Sequence, residues 1–468
     1  MRAALLITIV AGICMAAFVR PYLGLLGYLW FALLRPDILA WVEDRRLSFI
    51  IAVCVLLGSA IRLPAGIWRI WANPISRALV LLQVPIVLSA LVAVDPSLSI
   101  PPLLLYLRVI IMALLCVVLF ETREHLKYML LVMAGSVGLL GWKYGLYGIL
   151  AGGVWFAHGY GGMMADNNLL GLGLAMAVPL CWYAAQLVSY RWLKVIFWVM
   201  FLHTIAAVVM TLSRAAALGL GAGLFLIWWH SRRKLLVAFL LPLALFPALL
   251  LFSTEFVNRL STLAAPEEEA SALSRLVFWK AALKMWQDHP LLGVGFGQAN
   301  QQELISEYVD PEWLVNVGRE YHVLHNTYLQ VLVDSGLFAF LIFCALMFGT
   351  LWWLGREVAR LRVSDPAAVP YPAAIRAALA VFAVASTFHT RERFDFYYFL
   401  LMAAAVWYQV RFEVPASAPE ASQAETGSVV SGGTATASSQ PAPHSTDPFP
   451  ARPGVGRGSS YEAWRRGR

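Results

Sequence analysis

The chain contains a long succession of apolar runs, and this feature constrains its fold more than any other. Each run has about 15 to 25 residues, the length that an α-helix needs to cross the hydrocarbon core of a bilayer. The runs lie near residues 3–19, 22–40, 47–61, 77–94, 102–120, 126–150, 169–188, 192–212, 215–230, 235–252, 326–354, 374–389 and 394–411. Only 13% of the residues are charged, whereas a soluble domain would contain roughly a quarter. We therefore expect an all-α integral membrane protein with about twelve or thirteen transmembrane helices.

Lys and Arg are concentrated in alternate short connections between these runs, a pattern that predicts topology rather than nucleic-acid binding. The connections 95–101 and 151–168 contain neither residue. By the positive-inside rule, the basic connections are cytoplasmic and the long segment 253–325 and the turn 389–393 lie on the extracytoplasmic side. The orientation of the N-terminal spans stays open, because arginines fall on both sides of the interrupted second run.

The chain is expected to divide into two parts of different composition. Residues 1–414 form a polytopic transmembrane domain that includes the large loop 253–325. Residues 415–468 are rich in Ala, Ser, Pro, Thr and Gly, and such a segment predicts a disordered cytoplasmic tail. The five cysteines lie inside apolar runs and are expected to be small packing residues.

The large loop contains a predicted amphipathic helix that begins near Arg275 and ends before Pro290. Its predicted apolar face consists of Leu276, Trp279, Leu283 and Trp286. Arg275, Lys280 and Lys284 lie on its polar flank and are candidate ligands for a phosphate. The alternative is a basic helix that lies on the membrane surface and contacts anionic lipid.

Two further residues at predicted span boundaries are candidates for the chemistry. Arg214 follows Ser213 between two spans on the extracytoplasmic side, where it can hold a phosphate through two hydrogen bonds or instead extend to lipid headgroups. His325 precedes a late span and can act as a general base, as a cationic phosphate partner, or simply as an interfacial group. The neighbouring His322 could substitute for His325, and Asn326 completes this candidate binding site.

Other polar residues at the same predicted membrane face complete the candidate set. Asp166 and Asn167 can orient a sugar or cap the following helix, whereas Arg391 and Arg393 can add positive charge to a phosphate site. The sequence Gly293-Val-Gly-Phe-Gly297 predicts a tight turn rather than a nucleotide-binding loop, since no strand precedes it. No metal-binding or nucleotide-binding motif is evident, so we expect neither a metal nor a cofactor.

Three of these motifs together resemble the O-antigen ligase and polymerase superfamily of bacterial envelope proteins. They are Ser213-Arg214 at a span boundary, the Ser274-Arg275 helix followed by a His289-Pro-x-x-Gly293-x-Gly295 turn, and His325-Asn326 with Gly336 ten residues after Asn326. Three positions after Gly336, where the family usually has a polar or small residue, this chain has Ala339, a minor departure. The N-terminal third, with Arg20-Pro21, Arg35-Pro36, Val94-Asp95-Pro96 and Asp166-Asn167-Asn168, looks like the exosortase-associated O-glycosylation ligase branch.

This resemblance, which covers roughly residues 1–410, implies a metal-independent, inverting glycosyltransferase. The donor would be a glycan on undecaprenyl diphosphate, and the acceptor a lipid, glycan or protein. Arg214 and Arg275 would hold the diphosphate, and His325 would take the proton from the acceptor hydroxyl or assist the diphosphate. The protein would be a multi-pass component of the bacterial inner membrane, with its active site facing the periplasm and no nucleic-acid partner.

The motifs leave the type of transfer open. A polymerase that joins lipid-linked repeat units of O-antigen or exopolysaccharide shares this architecture with a ligase. A transporter of lipid-linked glycans is the third alternative, although the ionisable residues gather at one membrane face rather than at mid-membrane. The glycan, the acceptor and the oligomeric state are not specified by the sequence.

Overall fold

The computed structural model describes residues 1–42, 46–153, 156, 158–162, 164–231, 233–235, 237–238, 266–309 and 323–413. Within residues 266–274 it describes the backbone course but not the side chains. Residues Met1–Glu413 form one compact unit. The predicted tail, His322 and most of the predicted span 235–252 lie outside the described residues.

The described residues are almost entirely helical, which confirms the all-α class. In chain order the helices are α1 Arg2–Val19, α2 Pro21–Leu34, α3 Pro36–Ala40, α4 Leu47–Ser59, α5 Leu63–Ala72, α6 Pro74–Leu91, α7 Pro96–Leu119, α8 Arg123–Leu150, α9 Asn167–Leu187, α10 Arg191–Met210, α11 Arg214–His230, α12 Pro266–Asp288, α13 Gln302–Ser306, α14 Thr327–Ser364, α15 Pro370–Ala385 and α16 Asp395–Val410. A short antiparallel hairpin, β1 His158–Gly161 with β2 Met164–Asp166, lies between α8 and α9.

Eight segments in the described part of the chain are long and apolar enough to cross a membrane, so the protein is a multi-pass membrane protein. One of them, Leu47–Ala72, joins α4 and α5. Two shorter apolar helices, α2 and α15, accompany them. The predicted total of twelve or thirteen spans stays a prediction. The doubtful second run is indeed broken, because Arg35 takes a left-handed conformation with φ 49° between α2 and α3.

Helix starts are set by capping residues that the sequence places at the span boundaries. Asp166, Ser213 and Asn326 each accept a hydrogen bond from a backbone N–H in the first turn of α9, α11 and α14. Proline occupies the first helical position of α2, α6 and α7, where it lacks only an N–H that would be unsatisfied in any case. These caps determine the residue at which each helix begins, and therefore which side chains lie at the helix ends that form the candidate site.

Small residues allow the central helices to approach one another closely. A Cβ added at Gly141 or Gly145 of α8 would stand only 2.1 Å from Thr204 Oγ1 or 2.0 Å from the His203 carbonyl oxygen of α10. Such contacts are typical of helix packing in membranes, where close van der Waals contact replaces the hydrophobic effect. Together α8, α9 and α10 pack as a group, and α9 contacts α11 and α15 on its other side.

Helix α14 bends sharply at Gly336, whose φ of 77° is accessible to glycine but costly for other residues. The bend frees backbone groups of α14, and the Gly293–Gly297 turn satisfies them. Val294 N–H donates to the Val333 carbonyl oxygen (2.9 Å), and Gly295 N–H donates to the Asp334 carbonyl oxygen (3.1 Å). The predicted tight turn is therefore present, but these amide groups bind α14 and are not available to a phosphate.

The predicted amphipathic helix is present as α12, which begins at Pro266 rather than near Arg275. Its predicted apolar face is partly wrong, since only Trp279 and Trp286 of its four residues are even partly buried. Its buried side chains are Phe278, Ala281, Ala282 and Met285, which form a small core with residues of the Gly-rich turn and α14. Leu276 and Leu283, placed on the predicted apolar face, are instead 52% and 42% exposed. Small alanines pack inward because α12 lies close to the bent part of α14.

Candidate active site

A cavity of about 340 Å³ lies where the N-terminal ends of α9 and α11 meet α12, the start of α14 and the loop after α15. Its polar lining includes Asn168, Arg214, Arg275, His325 and His389. The structure thus brings together the three residues predicted to be catalytic, of which Arg214 and His325 are more than a hundred positions apart in the sequence. It also adds Asn168, the last residue of the polar cluster that begins at Asp166, and His389, which was not predicted.

Arg214 is the first residue of α11 and its side chain is exposed toward the cavity. Ser213 caps the helix, and the preceding Leu212 takes a left-handed conformation with φ 51°. Asn167 Nδ2 donates to the Thr211 carbonyl oxygen at 3.2 Å. Asn167 therefore holds the turn before Arg214, whereas the roles predicted for it were to orient a sugar or to cap the following helix.

Arg275 reaches the same cavity from α12 and is partly buried. Burial and the neighbouring positive charge of Arg214 lower the pKa of its guanidinium. One turn further along α12, Trp279 Nε1 donates to the Leu324 carbonyl oxygen at 2.8 Å. This hydrogen bond fixes α12 against the residue that precedes His325, so Arg275 and His325 are positioned together.

His325 adopts a left-handed backbone conformation with φ 48°, which is uncommon for a residue other than glycine. Burial, followed by the charges of Arg275 and Arg391, lowers the pKa of its imidazole to about 4. His325 is therefore neutral near pH 7, and this favours a base over a cation. The adjacent Asn326 caps α14 through hydrogen bonds from Tyr328 N–H (3.0 Å) and Leu329 N–H (3.1 Å), so its side chain is used structurally.

Arg391 lies in the loop between α15 and α16, and Asp166 is its partner. Arg391 Nη2 and Asp166 Oδ2 are 3.0 Å apart, and the other carboxylate oxygen of Asp166 caps α9 at 2.8 Å. Both oxygens of Asp166 thus have protein partners. Burial is the main cause of the lowered pKa of the Arg391 guanidinium. The negative charge of Asp166 acts in the opposite direction and raises this pKa.

Three of the remaining predicted binding residues, Arg393, Lys280 and Lys284, do not line the cavity. Arg393 is paired with Glu392 at 3.0 Å, and its guanidinium lies 5.7 Å from the centre of the Phe296 ring. Lys280 and Lys284 are exposed on α12 beyond the cavity lining. His322 lies outside the described residues.

His389 is the main site residue that the sequence analysis missed. It follows Phe388 in the short loop after α15 and is only 4% exposed. The available signal was its position two residues before Arg391, in a loop already expected to share the membrane face of the site. No group of three or more metal-ligating side chains exists among the described residues.

The described cavity therefore contains arginines and two histidines, and five chain segments form its walls. Burial lowers the pKa of both imidazoles, so both histidines are uncharged near pH 7. Arginine side chains are suited to an anion, and Arg275 is partly removed from water. These features define a multi-pass membrane protein with a cavity lined by arginines and histidines at one end of its helices.

Comparison with protein families adds an assignment for two regions of the chain. Residues 199–344, which include Arg214, Arg275 and His325, match the family model described as O-Antigen ligase. The match supports the O-antigen ligase superfamily, and with it a glycosyltransferase-like enzyme that acts on a lipid-linked glycan. Residues 1–189 match a model described as a family of unknown function (DUF5935). No curated protein matches the chain.

Proposed function

We propose that the protein transfers a glycan from an undecaprenyl-diphosphate carrier to a hydroxyl of a lipid, glycan or protein acceptor. The observation that supports this proposal most directly is the convergence of Arg214, Arg275 and His325 on one cavity. Two arginines suit a diphosphate, because guanidinium groups bind phosphate oxygens through paired hydrogen bonds. The exosortase-associated branch of the superfamily stays part of this proposal.

The proposed reaction is a single inverting displacement. The acceptor oxygen attacks the anomeric carbon while the bond from that carbon to the diphosphate oxygen breaks. The acceptor proton moves to the neutral imidazole of His325, and the electron pair leaves with undecaprenyl diphosphate. Arg214 and Arg275 stabilise the charge that develops on this leaving group. The step needs no metal ion or redox cofactor for its atoms and electrons to balance.

Residues outside the cavity have supporting roles in the proposal. Lys280 and Lys284 on the exposed flank of α12 contact the outer part of the lipid-linked donor or nearby headgroups. Five other predicted residues stabilise the segments that carry the cavity residues through hydrogen bonds and ion pairs. They are Asp166, Asn167, Asn326, Arg391 and Arg393. We place the cavity on the periplasmic side of the bacterial inner membrane, following the distribution of Lys and Arg.

The proposal is tested with purified protein, a defined undecaprenyl-diphosphate glycan, candidate acceptors and EDTA. We expect the glycan on the acceptor, with transfer reduced at least about 100-fold by Arg275→Ala and by His325→Ala. Arg356→Ala is the matched control, since this exposed arginine stacks on Trp352 in α14 and does not line the cavity.

Three results would contradict parts of this assignment. Longer glycans that remain on undecaprenyl diphosphate would identify a polymerase instead of a ligase. Full activity of either cavity variant would show that the altered residue has no role in transfer. Dependence of the activity on a metal that EDTA removes would exclude the proposed displacement.

A further inference from the structure

The loop that follows α15 contains an unusual concentration of buried polar atoms without hydrogen-bond partners. His389 Nε2, Thr390 Oγ1 and Arg391 Nε are each buried and lack a partner among the described residues. Buried polar groups are satisfied in the great majority of cases, and leaving one unsatisfied costs about 1–3 kcal/mol. Three consecutive residues with this property point to a ligand that the loop is built to receive.

The loop is held firmly in place beside His325. Thr327 N–H donates to the Ser386 carbonyl oxygen at 2.9 Å, and Thr327 Oγ1 donates to the His389 carbonyl oxygen. The same Thr327 oxygen accepts a hydrogen bond from Arg391 N–H at 3.0 Å. These bonds attach the loop to the first turn of α14, so the backbone of His389 is held at the cavity.

The surroundings of His389 are strongly cationic. Burial, then the charges of Arg391, His325 and Arg275, lowers the pKa of its imidazole to about 3. A neutral imidazole carries one N–H donor, and that donor is suited to an oxygen of a bound anion. His389 also lies outside the region 199–344 that matches the O-antigen ligase model, so the match assigns it no role.

We propose that His389 contacts the donor diphosphate and donates a hydrogen bond from its ring N–H to a phosphate oxygen. The inference rests on the proposed function, because the diphosphate belongs to the proposed donor. His389 lines the same cavity as Arg214 and Arg275.

The test measures binding of inorganic pyrophosphate to the full-length protein in nanodiscs by isothermal titration calorimetry. We expect His389→Ala to weaken binding about 10- to 100-fold, the loss typical of a hydrogen bond to a charged group. His389→Gln keeps an N–H donor and is expected to bind within about threefold of the wild type. Thermal unfolding of each variant checks that the fold is retained.

His230→Gln is the matched control for the removal of a buried histidine. His230 is 7% exposed and pairs with Arg376 at 2.9 Å, at the opposite end of α11 from Arg214. Seventeen helical residues separate the two ends by about 24 Å. We expect pyrophosphate to bind this variant as it binds the wild type.

The outcomes separate this inference from the proposed function. If the wild type and His389→Ala bind pyrophosphate equally, and Arg275→Ala loses binding, His389 has no contact and the diphosphate assignment stands. If His389→Gln is as weak as His389→Ala, hydrogen-bond donation is not the role of His389. If the wild type does not bind pyrophosphate, the diphosphate assignment and the inference both fail.

Discussion

At the scale of single residues, the cavity is organised around histidines that cannot easily take up a proton. His325 and His389 both lie among arginines, and burial removes the water that would otherwise solvate a charged imidazole. The same arginines that disfavour a protonated histidine favour a bound anion. A diphosphate would offset their charge and make His325 a stronger base when the donor is present.

This electrostatic arrangement predicts the pH dependence of transfer. A base must be deprotonated, and the pKa of His325 is lowered from 6.5 to about 4. We therefore expect kcat/KM, which reports the free enzyme, to stay nearly constant from pH 8 to about pH 5.5 and to fall below it. The measurement is initial rate at low donor concentration across this range.

The alternative role of His325 gives the opposite profile. If a protonated His325 were needed as a cation for the diphosphate, kcat/KM would rise as the pH falls from 8 toward 5. If such a rise is seen in the wild type and is absent in His325→Gln, the role of His325 is that of a cation and not that of a base. The profile therefore decides a question that the sequence left open.

At the scale of elements, the bend in α14 connects the Gly-rich turn to the site. Asp334 Oδ1 accepts a hydrogen bond from Ala299 N–H at 2.8 Å, and Leu337 N–H donates to the Pro290 carbonyl oxygen at 2.9 Å. The turn therefore replaces helical hydrogen bonds that the bend removes. Because the turn also ends α12, it determines where Arg275 lies relative to His325.

Gly336→Ala is expected to destabilise the protein by about 2–4 kcal/mol. A Cβ at this position would lie 2.0 Å from the Leu291 carbonyl oxygen, in a conformation with φ 77°. Thermal unfolding in detergent measures the effect, and transfer should fall in parallel because α12 is displaced.

Gly349→Ala provides a control within the same helix. A Cβ at Gly349 meets nothing within 4 Å, so we expect its melting temperature to match that of the wild type or exceed it slightly. Equal stability of the two variants would show that the bend is not a specific requirement of the fold.

At the scale of the whole molecule, the cavity residues lie at one end of the helices, and the proposed function requires that end to face the periplasm. His158 in the hairpin precedes α9, and Tyr190 follows it at the opposite end. Both side chains are exposed, Tyr190 by 67%. Helix α9 has 21 residues and spans about 31 Å between them.

Cysteine labelling tests this orientation. In a variant without the five native cysteines, we expect His158→Cys to react with a membrane-impermeant maleimide in intact spheroplasts. Tyr190→Cys should react only after lysis. The reverse pattern would place the cavity in the cytoplasm and would contradict a periplasmic glycan transfer.

The sequence alone determined the class of fold and most helix limits. Apolar length specifies membrane helices, and capping residues such as Asp166 and Asn326 mark where they begin, since both signals act through neighbouring residues. The same local logic identified Arg214 and His325 as candidates, because charges at predicted span boundaries are costly and therefore informative. Arg275 became a candidate through its place in the predicted loop helix. The predicted topology placed these residues on the same membrane face, but it did not predict that they share a cavity.

Only the tertiary structure decided which of the many polar residues share a cavity. Lys280 and Arg393 have the same charge and predicted membrane face as Arg275, yet the first is exposed and the second pairs with Glu392. His389 enters because Thr327 holds its loop against α14, a contact across 62 positions of the chain. The predicted apolar face of α12 was partly wrong, because the side that α12 buries depends on the bend in α14 and not only on the periodicity of its own sequence. Side-chain direction at a loop is set by such long-range contacts, and a sequence pattern does not specify them.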